Sequence, residues 1–112
     1  MLTLAQFVAI TIRMLTSDGI DGYLPTMISR DDRSVRVLEG IPPHVDHLKA
    51  LQDWIIGQGP PSSYVFAVRS GLYEVTAGSC DASACEFMMI TQVAGHFETR
   101  PISEPSWWHI KR

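Results

Sequence analysis

Hydrophobic and polar positions alternate most clearly between Tyr64 and Ala77, where YVFAV, RSG and LYEVTA follow one another. The pattern predicts two β-strands joined by a tight turn. With Ser70-Gly71 as a two-residue loop, Arg69 faces Leu72, Val68 faces Tyr73 and Phe66 faces Val75. Tyr64, Phe66, Val68, Tyr73, Val75 and Ala77 then share an apolar face. Val65, Ala67, Arg69, Leu72, Glu74 and Thr76 share the other, with all the charge. A three-residue loop over 69–71 would set Glu74 beside Phe66, and a one-residue slip exchanges faces, so charge segregation selects the two-residue loop. Gly71 suits the positive φ of such a turn.

Helical periodicity appears twice. Over residues 3–17, Leu4, Phe7, Val8, Thr11, Ile12 and Leu15 form one stripe, widened by Ala5, Ile10 and Met14. Thr3 and Gln6 have capping-box spacing, and Gly19 stands where a helix stops. Val8, Ile10, Ile12 and Met14 also alternate at period two, but the cap, the stop and the length favour a helix. Over 44–56, Val45, Leu48, Leu51, Trp54 and Ile55 form a buried stripe, with Asp46, Lys49, Gln52 and Asp53 toward water. Pro43 suits the first helical position.

Between the helices, 24–30 and 34–38 read as a second hairpin with its turn at 31–33. Pro25 suits an edge or a strand entry. After the 64–77 hairpin come a small-residue loop at 78–85, a strand at 86–93, an Ala94-Gly95 turn and a short strand at 96–100. Residues 101–112 form a C-terminal tail. The order is α-β-β-α-β-β-β(-β). Adjacent strands with short turns imply an α+β fold: one antiparallel sheet of four to six strands, with two helices packed on one face.

Length and composition fit this picture. A chain of 112 residues, 46% hydrophobic and 19% charged, is one globular domain, residues 1–112, with enough chain for a single core. A net charge of −3 argues against nucleic acid. Arg30, Arg33 and Arg36 cluster, but Asp31 and Asp32 lie among them, as on a solvated hairpin tip. No segment has the length of a membrane span. Leu2–Leu15 lacks the basic start and small-residue cleavage site of a signal peptide, so cytoplasmic residence with reduced thiols is the default expectation.

Each candidate for chemistry competes with a plainer role. Cys80 and Cys85 could form a redox pair, a disulfide or half a metal site, but C-x4-C lacks the two-residue spacing of redox motifs and zinc knuckles. They read as two small residues flanking a loop. His44 and His47 share a helix face and could join the cysteines on zinc. Cys85, His96 and Glu98 could be assembled as nucleophile, base and orienter. Solvent-facing histidines are the commoner case, so neither a metal nor another cofactor is expected. Gly57 and Gly59 are followed by Pro60-Pro61 and a strand, without the helix that would hold phosphate.

The remaining signals concern partners. Trp107 and Trp108 on a terminal segment either cap the core or dock on another chain. A first helix apolar around most of its circumference must be covered on most of it. Phe7, Ile10, Met14, Trp107 and Trp108 are therefore the candidate partner-binding residues. The expected function is a small protein-binding or regulatory domain of inhibitor, immunity or adaptor type, with a second copy as the simplest partner. The alternative is a small enzyme or a zinc or thiol site built on Cys80, Cys85 and the histidines.

Overall fold

The computed structural model describes residues 2–18, 26–29, 35–37, 46–57, 63–81 and 83–110, with side chains given except at 17, 18 and 35–37. The expected stop at Gly19, the turn at 31–33, Arg30, Arg33, Pro43, His44 and Val45 lie outside the described residues.

The capping box forms as spaced. Thr3 N donates to Gln6 Oε1 at 3.0 Å and Gln6 N donates to Thr3 Oγ1 at 3.1 Å, opening α1 (Leu4–Asp18). Thr11 lies on the buried stripe because its hydroxyl donates to the Phe7 carbonyl at 2.9 Å, so no polar atom is stranded. The second helix, α2 (His47–Gly57), starts three residues later than its pattern suggests. Asp46 sets that start: its Oδ1 accepts from Leu48 N at 3.0 Å and Lys49 N at 3.2 Å, as an N-cap does.

Six strands follow the expected order: β1 (Met27–Ser29), β2 (Val35–Val37), β3 (Ser63–Gly71), β4 (Glu74–Asp81), β5 (Cys85–Val93) and β6 (His96–Ile102). They form one fully antiparallel sheet, β2-β1-β3-β4-β5-β6. The chain is an α+β domain. The β5–β6 turn is Ala94-Gly95, at φ 49° and 84°, as a two-residue hairpin of primed type requires.

The helices do not share a face. Phe7, Val8 and Leu15 of α1 pack with Val65, Ala67, Val75, Ala77 and Ile90, while Leu51 and Ile55 of α2 pack with Ile28, Tyr64, Phe66, Val68 and Phe87. Successive strand residues point to opposite sides, so these are opposite faces of the sheet. The expected packing of both helices on one face is corrected here. The five apolar residues Tyr64–Val68 are all buried, which is how a strand covered on both sides reads. Each fully buried Leu, Ile or Phe contributes roughly 1.5–3 kcal/mol.

The same two-sided burial overturns the expected hairpin register. Strand β3 continues to Gly71, the turn is Leu72-Tyr73, and Arg69 pairs with Val75 while Phe66 pairs with Gly78. Ser70 is the extra residue of a bulge, because Gly71 pairs with Glu74 immediately after the Arg69–Val75 pair. Val75 and Ala77 thereby move to the side of Val65 and Ala67. Charge segregation presumed a wet face, and at this position the sheet has none. Shape decides the register instead: a Cβ on Gly78 would lie 2.5 Å from two ring atoms of Phe66 and 3.1 Å from Phe87.

Gly78→Val should therefore lower unfolding stability by at least about 2 kcal/mol through overpacking. Gly57→Ala, at an open helix end with nothing within 4 Å, should be neutral or slightly stabilising in the same denaturant titration.

Candidate functional site

The tail is part of the structure from its first residues. Pro101 and Ile102 extend β6, and the following segment returns across the α2 face. Trp108 is 5% exposed. Its indole stacks on Phe66 with ring centroids 5.0 Å apart and 8° between planes, and it meets Phe87 edge-on at 5.5 Å. Trp107 lies half-buried against the same core, 6.1 Å from Trp108. Of the two roles open to these tryptophans, capping the core is the one this geometry fills.

Gln52, expected to face water, is what holds the tail. Its Nε2 donates to the Trp107 carbonyl at 2.9 Å, and its Oε1 accepts from the His109 backbone N–H. One side-chain amide thus satisfies the backbone groups on both sides of Trp108, much as a neighbouring strand would. Gln52 is 6% exposed for this reason. Its signal in the sequence is faint, since a glutamine on the polar edge of a helix ordinarily faces water. Beside the clamp, a cleft of about 400 Å³ opens between α2 and the tail, lined by Leu48, Ile56, Trp107, His109 and the Lys49–Asp53 pair. The hydrogen bond from Lys49 Nζ to Asp53 Oδ2, 2.6 Å long, raises the lysine pKa above its ordinary value, and the charge of Asp53 adds to it.

Phe7, like Trp108, is interior, at 0% exposed, while Ile10 and Met14 are half-buried against the α1 core. The five expected partner-binding residues therefore split. Phe7 and Trp108 cannot present a surface, because the sheet already covers them.

Cys80 and Cys85 are joined as a disulfide. They form the last register pair of the β4–β5 hairpin, which corrects the expectation of two unlinked small residues. The register places both side chains on the α2 side of the sheet, with Cys80 buried and Cys85 half-exposed. The intervening loop is closed independently. Asp81 N donates to the Ala84 carbonyl at 2.9 Å, and Asp81 Oδ1 accepts from Ser83 N and Ala84 N, each at 2.8 Å. A ring of so few residues removes little chain entropy, so the link contributes about 2 kcal/mol to stability by the loop-closure account.

Of the other assemblies, the zinc set includes His44, which lies outside the described residues, and the Cys85–His96–Glu98 set does not form. His96 Nε2 lies 3.2 Å from Glu98 Oε1, but both side chains are exposed and Cys85 stands at the far end of β5, bonded to Cys80. Among the described residues no group of three His, Cys, Asp or Glu side chains could hold a metal. No described helix is long and apolar enough to cross a membrane.

Three of the large apolar side chains exposed among the described residues lie at one end of the sheet: Leu72 at 71%, Tyr73 at 44% and Val93 at 39%. They occupy the tips of two adjacent hairpins. Gln92 N donates to the Tyr73 carbonyl at 3.1 Å and ties one tip to the other, while Arg69 Nη2 donates to the Leu72 carbonyl at 2.8 Å. The pattern had placed Leu72 and Tyr73 within a strand and so hid them. The β6 edge beside this patch carries His96, Glu98, Arg100 and Pro101, the charges and proline that discourage strand pairing.

The chain matches no family model, no curated protein and no solved structure.

Gln52→Ala should cost about 1–3 kcal/mol by leaving two backbone groups of the tail without partners, and should shift the tryptophan emission to the red as Trp108 loosens. Trp108→Ala should cost about 3–5 kcal/mol, and Trp108→Phe clearly less, because a phenyl ring keeps most of the stack.

Proposed function

We propose that this chain is a small non-catalytic protein-binding domain whose contact surface is the pair of hairpin tips, with a second copy of the chain as its simplest partner. The observation that carries this reading is the gathering of Leu72, Tyr73 and Val93 on two tips that are bonded to each other. Scattered apolar residues are ordinary on a surface, whereas three placed on neighbouring hairpin tips at one end of a sheet are suited to a shared contact. Charges of both signs flank it, Arg69 and Glu74 on one hairpin and Glu98 on the next. A two-fold-related copy can therefore meet opposite charges around an apolar centre. The residues first expected to make this contact, Phe7 and Trp108, serve the interior instead. Ile10, Met14 and Trp107 keep partial exposure and stay outside the proposed surface.

An inhibitor, immunity or adaptor role fits a domain of this kind, and the reading needs no cofactor, nucleic acid or membrane. Disulfides persist in oxidising compartments and occur elsewhere mainly in reversible thiol chemistry. Cytoplasmic residence belongs to this reading only together with the second case.

Sedimentation velocity over a concentration series tests the proposal. The wild-type chain should associate as concentration rises, and Leu72→Asp with Val93→Asp should stay monomeric with the melting temperature unchanged, since neither side chain is buried. A wild-type chain that is monomeric throughout would remove the second copy as partner. Association unchanged in the double variant would remove the tips as the surface.

A further inference from the structure

We propose that Cys80–Cys85 is a thiol–disulfide exchange site that accepts electrons from a dithiol on a partner protein. The inference is independent of the hairpin-tip surface, which lies at the other end of β4 and β5.

Three observations carry it. The first is that the 81–84 loop has closures besides the disulfide, in its own backbone bond and in the Asp81 carboxylate. The second is that the two sulfurs are unequal. Cys80 is 2% exposed within the aromatic core, whereas Cys85 is half-exposed at the end of the sheet. An incoming thiolate can reach Cys85 and not Cys80. The third is the pairing itself. Cys80 and Cys85 are direct register partners, held side by side by the β4–β5 ladder whether or not they are bonded. The reduced pair therefore stays placed to close again.

The chemistry balances as two displacements. A partner thiolate attacks Cys85 Sγ, a mixed disulfide forms, and the Cys80–Cys85 bond breaks with Cys80 leaving as thiolate. The second thiolate of the partner then attacks its own sulfur in the mixed disulfide and expels Cys85 as thiolate. The partner leaves oxidised to a disulfide, and Cys80 and Cys85 take up two protons as thiols.

Reduction of the intact wild-type chain by dithiothreitol, followed by mass spectrometry and circular dichroism, tests the site. The expected rate is first order in dithiothreitol, with the native spectrum kept after reduction. A rate that plateaus at the unfolding rate, or loss of the fold on reduction, would overturn the proposal by making the bond a structural staple. Cys80→Ser and Cys85→Ser, probed with the neutral reagent 2,2′-dithiodipyridine, test the asymmetry. The Cys85 thiol of the first should react about tenfold or more faster than the Cys80 thiol of the second, and equal rates would overturn the assignment of Cys85 as the attacked sulfur.

Discussion

The stack of Trp108 on Phe66 on Gly78 is the constraint from which much of this structure follows. A ring placed where a Cβ would otherwise sit fixes which residue of β4 opposes Phe66. That single pairing fixes the register of the central hairpin, and with it the side of the sheet to which Val75 and Ala77 belong. The same ring stacks with Trp108, so the last described segment is bound to the middle of the sheet. Gln52 then fastens that segment to α2 through two backbone groups. Register, tail and helix position are thus coupled through one aromatic side chain.

Local signals in the sequence were sufficient for the elements and their order. The Thr3–Gln6 capping box, the α2 stripe of Leu48, Leu51 and Ile55, and the Ala94-Gly95 turn each act through neighbours within a few residues, and each has its expected role. What could not be read was which side of the sheet each helix covers. Periodicity tells a helix which stripe to bury, but not against what. The run Tyr64–Val68 carries a clue, since all five residues are apolar, but the charge pattern of Arg69 and Glu74 points the other way. The hairpin register failed for the same reason: the rule used to choose it holds for sheets with one wet face.

The candidate sites were less legible, because they depend on contacts between distant segments. Gln52 looks like any solvent-facing glutamine until a tail 55 residues away arrives beside it. Trp108 offered two roles, and only the position of Phe66 distinguishes them. Cys80 and Cys85 are joined because a four-residue loop brings them into register at the end of two strands, a consequence of where β4 stops and β5 starts. The Leu72–Tyr73 tip is not legible because alternation places both residues within a strand, and the bulge at Ser70 moves them to the turn.

The late position of Trp108 in the chain has a consequence for how the molecule is made. During synthesis from the N-terminus, the α1 side of the sheet can be assembled once Phe97 has emerged, since it is the last residue packed against that side. The α2 side is still open then, with Phe66 and Phe87 lacking their cover until another eleven residues leave the ribosome. For that interval a nascent chain carries one finished core and one uncovered aromatic cluster, the kind of surface that chaperones bind and that neighbouring nascent chains can meet.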